Sequence, residues 1–156
     1  MTPLGYAKAL AVLVPAALLA GAFAFEYWGG LWPCEMCWWQ RYAHIAALAL
    51  AVLALFVRGR SLVVLAALAI AASGAIGFYH AGVELDWFEG VTQCTSTAAG
   101  ATTADVLKSI MAAPMVRCDE IQWSWLGISM AGWNAILSLG AALVILWLSL
   151  KKPRPL

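Results

Sequence analysis

The sequence contains few charged residues. Only 11% of its 156 residues are Asp, Glu, Lys or Arg, whereas 64% are hydrophobic. Soluble domains average about 25% charged and about 45–50% apolar residues. A small soluble monomer cannot hide this much apolar surface, so that class of protein is excluded. Nine basic and eight acidic residues give a net charge of +1, which argues against a nucleic-acid-binding surface, and the high hydrophobicity excludes intrinsic disorder.

The hydrophobic residues form four long runs separated by polar connections. Because hydrocarbon forces the backbone to satisfy its own hydrogen bonds, each run is expected to be a transmembrane helix. The fold class predicted is therefore an all-α membrane protein, a single domain over residues 1–156 built as a four-transmembrane-helix bundle. Gly21 and Gly74 are expected to allow close helix contacts. The expected spans are about 7–27, 40–57, 62–80 and 128–150, with outer connections at 28–39 and 81–127.

The charges are distributed unevenly among the connections. Six basic residues, with no acid near them, lie in the N-terminus, the tight second-to-third turn and the C-terminal tail: Lys8, Arg58, Arg60, Lys151, Lys152 and Arg154. All eight acids lie near the other two connections, where most are expected to be solvated. The Lys/Arg bias predicts cytoplasmic termini and outer connections in the opposite compartment. We expect the first span to be retained, since its cleavage would leave three helices with an outer N-terminus.

The only cysteines are Cys34, Cys37, Cys94 and Cys118, and none lies inside a hydrophobic run. Two fall in each outer connection, so the predicted topology places all four in one compartment. Disulfides persist in such extracytoplasmic compartments. Four cysteines allow three pairings, and the sequence alone does not choose among them.

Cys34 and Cys37 form a C-x-x-C motif, which is typical of redox or zinc sites. A zinc site is disfavoured because the other two cysteines lie far apart and only two histidines could supplement the pair. A static brace explains so short a loop poorly, which favours redox-active cysteines. The second helix is expected to begin at or just after Cys37, where its N-terminus would stabilise a thiolate. Arg41 and His44 follow on the same helical face, although both also suit a membrane interface.

Two segments resemble one known family. The residues from Pro33 to Arg41, PCEMCWWQR, resemble the P-C-x-x-C-x-x-Q-R segment of the bacterial disulfide bond formation protein B (DsbB) family. The match continues from Cys118 to Asn134 and covers nearly the whole chain. The resemblance implies a multi-pass protein of the bacterial inner membrane with periplasmic cysteine connections. It also implies an oxidoreductase that re-oxidises a DsbA-like periplasmic thioredoxin-fold protein and reduces a membrane quinone, either ubiquinone or menaquinone.

The resemblance also implies roles for individual residues. Cys34 and Cys37 would be the pair re-oxidised by quinone, with Cys37 as the thiolate that contacts the ring. Arg41 would lie beside a quinone oxygen. Cys94 and Cys118 would form the disulfide that oxidises the soluble partner, Cys94 forming the mixed disulfide and Cys118 exchanging with Cys34. His80 lies near the position of a family histidine that borders the quinone, and His44 is a further candidate for quinone contact.

Two other functions remain possible from the sequence. A vitamin K epoxide reductase-like protein also combines at least four spans with four cysteines. In that family, however, the loop pair precedes the C-x-x-C motif, whereas here the order is reversed. A non-enzymatic membrane scaffold braced by disulfides would also place four cysteines outside.

The second outer connection and two acids add further expectations. Thr102 and Asp105 form a possible capping box, which predicts a short amphipathic helix lying in the membrane plane. Residues 92–103 are rich in Thr, Ser, Ala and Gly, so the cysteine within them is expected to be reachable. Glu26 stands where a neutral Gln is expected in many family members. Glu35, between the two motif cysteines, is expected to oppose thiolate formation.

Overall fold

The structure, a computed structural model, describes residues 2–90, 102–112 and 116–151. Its elements are α1 (Pro3–Tyr27), α2 (Glu35–Phe56), α3 (Ser61–Glu84), α4 (Thr103–Ala112), β1 (Ser124–Trp125), β2 (Ile128–Ser129) and α5 (Met130–Leu150). Helices α1, α2, α3 and α5 are each long and apolar enough to cross a membrane. This confirms the predicted all-α membrane fold with four spans.

The helix ends differ from the expected ones on the side that carries the cysteines. Helix α2 begins at Glu35 rather than at or after Cys37. The reason is that Cys34, in extended conformation, caps the helix with its side chain, which accepts a hydrogen bond from the Cys37 backbone N–H. Helix α3 continues to Glu84, one turn beyond the expected end near residue 80. Both extensions bring cysteine and acidic side chains onto regular helix.

The four long helices pack as a ring. Helix α3 packs mainly against α2 and α5, and α1 packs against the same two helices. Small side chains dominate the core, which lets the backbones approach closely. A Cβ atom added at Gly74 would lie 2.8 Å from Leu139 Cγ, so the close contact expected there is confirmed. The expectation for Gly21 is wrong, because a Cβ atom there would meet nothing within 4 Å.

A tight hairpin leads into α5. Strands β1 and β2 pair antiparallel through a two-residue turn in which Leu126 and Gly127 have φ values of 52° and 76°. Two positive φ angles suit the twist of a short hairpin. Ser129 then caps α5 by accepting a hydrogen bond from the Gly132 backbone N–H at 3.1 Å. The hairpin thereby fixes where the first turns of α5, including Asn134, enter the bundle.

The short helix expected in the second connection is present as α4. Thr102 caps it, since its hydroxyl oxygen accepts a hydrogen bond from the Asp105 backbone N–H at 3.2 Å. The Asp105 carboxylate in turn accepts from the Thr102 hydroxyl at 2.6 Å, which differs from a standard capping box. The position of α4 in the membrane plane stays a prediction.

Candidate active site

Three of the four cysteines can be located, and they lie together. Cys34 Sγ lies 3.2 Å from Cys37 Sγ at the start of α2. Cys118, from the second outer connection, hydrogen-bonds Cys34 and packs on the same buried cluster. Cys94 lies outside the described residues. The structure therefore brings one cysteine of the second connection against the C-x-x-C motif.

Cys34 is the most enclosed of these cysteines. The residue is only 1% exposed, and its thiol group hydrogen-bonds both of the other cysteines. Hydrogen bonds with Cys118 and Cys37, together with burial, raise the pKa of the Cys34 thiol above its ordinary value. Cys34 therefore keeps its proton in this reduced arrangement, whereas Cys37 lies in the first turn of α2, where the dipole of the helix N-terminus stabilises a thiolate.

His80 lies beside the cysteine pair, and Gln40 hydrogen-bonds the ring nitrogen that faces away from Cys34. Its Nε2 atom is 3.6 Å from Cys34 Sγ, and its Nδ1 atom is 3.0 Å from the amide nitrogen of Gln40. That nitrogen also donates to the Met36 carbonyl at 3.1 Å, which identifies it as NH₂. Because Gln40 donates to Nδ1, the neutral His80 ring carries its proton on Nε2, facing the sulfur.

A buried chain of polar side chains continues from Gln40 into the bundle. Asn134 donates from Nδ2 to Gln40 Oε1 at 2.7 Å and to the Ser73 carbonyl at 3.2 Å. Its Oδ1 atom lies 3.0 Å from His44 Nε2 and accepts from the Ser138 hydroxyl at 2.9 Å. The carbonyl of Ser73 fixes the orientation of the Asn134 amide. This chain couples residues of α2, α3 and α5, and it orients both histidines.

Three of these side chains are close enough together to bind one metal ion, but their hydrogen bonds disfavour metal binding. One ligand atom each from Cys34, Cys37 and His80 lie within 4.8 Å of one another. A histidine ligand needs an unprotonated nitrogen facing the metal. Here the proton placed on Nε2 by Gln40 occupies that position. The donor set therefore suits thiol chemistry better than zinc binding.

Arg41 forms a buried ion pair with Glu26. Its NH1 group pairs with the Glu26 carboxylate, and NH2 donates to the Ala22 carbonyl at 3.1 Å. The guanidinium lies 4.8 Å from the ring centroid of Phe23 and 5.0 Å from that of Trp38. The Glu26 carboxylate thus balances the positive charge of Arg41. Glu26 itself is buried and not solvated.

Glu84 is a second buried acid, whereas most of the acids were expected to be solvated. Its side chain is 6% exposed, and its Oε1 atom lies 3.8 Å from His80 Nε2. The sequence did contain a signal for this contact, since Glu84 follows His80 by four residues and such residues face each other on a helix. The signal was missed because the predicted span ended at His80, one turn before α3 ends.

These groups share one cavity of about 450 Å³. Its polar wall consists of Cys34, Cys37, Gln40, Arg41, His44, His80, Glu84 and Asn134, with Arg117, Glu120 and Gln122 at the outer connection. Its apolar wall includes Leu18, Leu19, Phe25, Trp32, Trp123 and Trp133. Every candidate residue inside the membrane helices therefore borders the same space. Flat apolar ligands with a few polar substituents fit such a lining.

Comparison with known proteins identifies the family. The family model described as "Disulfide bond formation protein DsbB" matches residues 6–148. The chain belongs to the DsbB family. A relative from Marinobacter nauticus, named Disulfide bond formation protein B, is 34% identical over 137 residues, which cover 81% of this chain and 80% of that protein.

Further relatives carry the same name. The protein from Azoarcus sp. is 32% identical over 146 residues, covering 85% of this chain and 84% of its own length. That from Polaromonas sp. is 30% identical over 144 residues, covering 87% and 84%. No solved structure matches the chain significantly. As a DsbB-family member, the chain is a multi-pass membrane protein of disulfide-bond formation with a thiol oxidoreductase role.

Proposed function

We propose that this DsbB-family protein re-oxidises a DsbA-like periplasmic thioredoxin-fold protein and passes the two electrons to a membrane quinone. The observation that carries the proposal is the shared cavity. Its walls are mostly apolar, as a quinone ring requires, and the C-x-x-C pair opens onto it. A third cysteine, Cys118 of the second connection, hydrogen-bonds Cys34 of that pair. A water-soluble donor and a lipid-soluble acceptor both need a place to react, and this arrangement offers one to each.

The proposed electron route uses two cysteine pairs in series. The partner's dithiol reduces a Cys94–Cys118 disulfide, with Cys94 forming the mixed disulfide. Cys118 then exchanges with Cys34, so that the Cys34–Cys37 pair becomes reduced. The hydrogen bond between Cys118 and Cys34 supports this order, because exchange requires direct contact between sulfurs. Each exchange moves two electrons, which is also the number that converts a quinone to a hydroquinone.

The residues around the cavity fit a quinone. A bound quinone would supply the two-electron acceptor. Cys37 would face it as the thiolate, Arg41 would donate to a ring oxygen, and His80 would border the ring. His44 has a suitable free atom as well: the residue is buried, and its Nδ1 has no hydrogen-bond partner among the described residues. Since Asn134 accepts from Nε2–H, this Nδ1 could accept a hydrogen bond from a hydroxyl group of the hydroquinone product.

The proposal includes a location and an orientation. We place the protein in the bacterial inner membrane, with both termini in the cytoplasm and both cysteine connections in the periplasm. The distribution of basic residues supports this orientation. Periplasmic cysteines would meet a DsbA-like partner directly, and the cavity would receive either ubiquinone or menaquinone from the bilayer.

An anaerobic quinone-reduction assay tests the proposal. The purified protein is mixed with a reduced thioredoxin-fold protein and a soluble quinone, and quinone absorbance is followed. We expect turnover by the wild type and none by Cys34→Ser or Cys37→Ser. Cys94→Ser should lose the trapped mixed disulfide with the partner. Absence of quinone reduction by a folded wild-type protein would indicate a disulfide-braced scaffold instead.

Arg41→Met, compared with the Glu26→Met/Arg41→Met double variant that leaves no buried charge unpaired, separates quinone binding from thiol exchange. We expect it to raise the quinone KM, since it removes a donor from the cavity, while the mixed disulfide with the partner still forms. An unchanged quinone KM would remove Arg41 from the proposed quinone site. Exposed Glu89, mutated to Gln, provides the control for a change of charge near the same connection.

A further inference from the structure

Glu84 is a buried carboxyl group whose surroundings leave one oxygen unused. The side chain is 6% exposed, and Oε2 has no hydrogen-bond partner among the described residues. The residue also lines the cavity. Burying a carboxylate with an unpaired oxygen is costly, whereas a protonated carboxyl group can turn its O–H toward the cavity. This position therefore favours a group that changes its protonation during the reaction cycle.

The Ser129 hydroxyl hydrogen-bonds the Glu84 carboxyl group, and the other neighbours of Glu84 are groups that gain and lose protons. Its Oε1 atom lies 3.8 Å from His80 Nε2, which in turn lies 3.6 Å from Cys34 Sγ. Gln40 fixes the His80 ring so that Nε2 carries the proton on the side facing both groups. His80 in this form cannot accept a further proton at Nε2. Glu84 is therefore the neighbouring group with free capacity to hold one.

We propose that Glu84 stores the proton released when Cys37 becomes a thiolate, and returns it to a quinone oxygen. The inference rests on the proposed function. The overall reaction turns two thiols and a quinone into a disulfide and a hydroquinone. Two electrons pass from sulfur to the ring, an S–S bond forms, and two O–H bonds form. One proton comes from the Cys34 thiol and the other from Glu84, which is left as a carboxylate until the pair is reduced again.

Infrared difference spectroscopy tests the proton store without any quinone. The cysteines are cycled with a chemical reductant and oxidant, and the reduced-minus-oxidised spectrum is recorded. We expect the carbonyl stretch of a protonated carboxylic acid to appear on reduction in the wild type and in Glu89→Gln, and to be missing in Glu84→Gln. The same band in Glu84→Gln, or no band in the wild type, would overturn the inference.

Steady-state kinetics tests the return of the proton. Glu84→Gln keeps the shape of the side chain but cannot donate an acidic proton, so kcat for quinone reduction should fall by about 100-fold, as for loss of a general acid. The quinone KM should stay within about twofold, because apolar contacts to the ring are unchanged. Glu84→Asp, which retains the acid, should recover part of kcat. Equal kcat values for Glu84→Gln and the wild type would refute the role of Glu84.

The two proposals fail in different ways. If the wild type does not reduce quinone, the proposed function is wrong, and the infrared band still decides whether Glu84 takes up a proton when the cysteines are reduced. If the wild type reduces quinone and Glu84→Gln does so at the same rate, the proposed function stands and the inference about Glu84 is wrong.

Discussion

Replacing Glu26 with methionine leaves the Arg41 guanidinium without its carboxylate, and we expect this single change to destabilise the bundle. The two side chains are 11% and 7% exposed, so water cannot take the place of the missing charge. Arg41 also lies between two aromatic rings and donates to the Ala22 carbonyl, which holds it in place after the mutation. The guanidinium would therefore stay buried without a counter-ion.

The magnitude follows from the burial of both groups. Removing one partner of a buried ion pair typically costs about 3–5 kcal/mol, because the other charge is left uncompensated. Replacing both partners with apolar side chains of similar volume is often neutral or stabilising. We therefore expect Glu26→Met and Arg41→Met each to lose about 3–5 kcal/mol of unfolding free energy. The double variant should lose less than either single variant.

A double-mutant cycle in detergent measures these values. Unfolding by a denaturing detergent is followed by the fluorescence of the nine tryptophans. Glu89→Met, which removes an exposed acid, serves as the control and should leave the unfolding midpoint unchanged. Additive losses in the double variant would show that the pair is not energetically coupled, and single losses below about 1 kcal/mol would show that water reaches the charges.

Three further predictions concern other parts of the bundle. Gly74→Ala should cost about 1–3 kcal/mol of unfolding free energy, because its methyl group would overlap the Leu139 side chain; a smaller loss in a Leu139→Ala background would confirm the contact, and an equal loss would contradict it. Cys34 in the reduced protein should react slowly with iodoacetamide at neutral pH, since its raised pKa keeps it protonated. Cys118→Ala removes the hydrogen bond that contributes most to the raised pKa of Cys34. Mass spectrometry should therefore find half-maximal alkylation of Cys34 at a lower pH than in the wild type. An unchanged midpoint would show that Cys118 does not raise this pKa. Asn134→Leu should cost about 1–3 kcal/mol for each buried group it leaves unpaired on α2 and α3, measured by the same unfolding assay; an unchanged stability would mean that these groups find other partners.

Much of the fold was predictable because hydrophobic length is a local property. Four apolar runs predicted four membrane helices, and the motif spacing placed Cys34 and Cys37 at the start of the second. The helix boundaries were less predictable. The thiol of Cys34 caps α2 in place of the usual hydroxyl or carboxylate, and α3 gains an extra turn that ends at Glu84. Caps depend on single hydrogen bonds, which average hydropathy does not register.

The site was predictable only in part, for a related reason. The sequence indicated the cysteines, Arg41 and both histidines from motif spacing and from the family resemblance. It did not indicate that Glu26 pairs with Arg41, since the partners belong to different helices. Nor did it indicate how Gln40 and Asn134 orient the histidines, because that contact requires α2 and α5 to face each other.

The sequence by itself determined that this is a four-span membrane protein, and its motifs indicated the DsbB family. Hydropathy, charge bias and motif spacing are read along the chain, so no packing is needed to interpret them. Only the tertiary structure decided which charges are buried and which polar atoms meet. A carboxylate at a helix end is solvated or buried according to the helix packed beside it. The packing of the bundle therefore makes Glu26 and Glu84 members of the site.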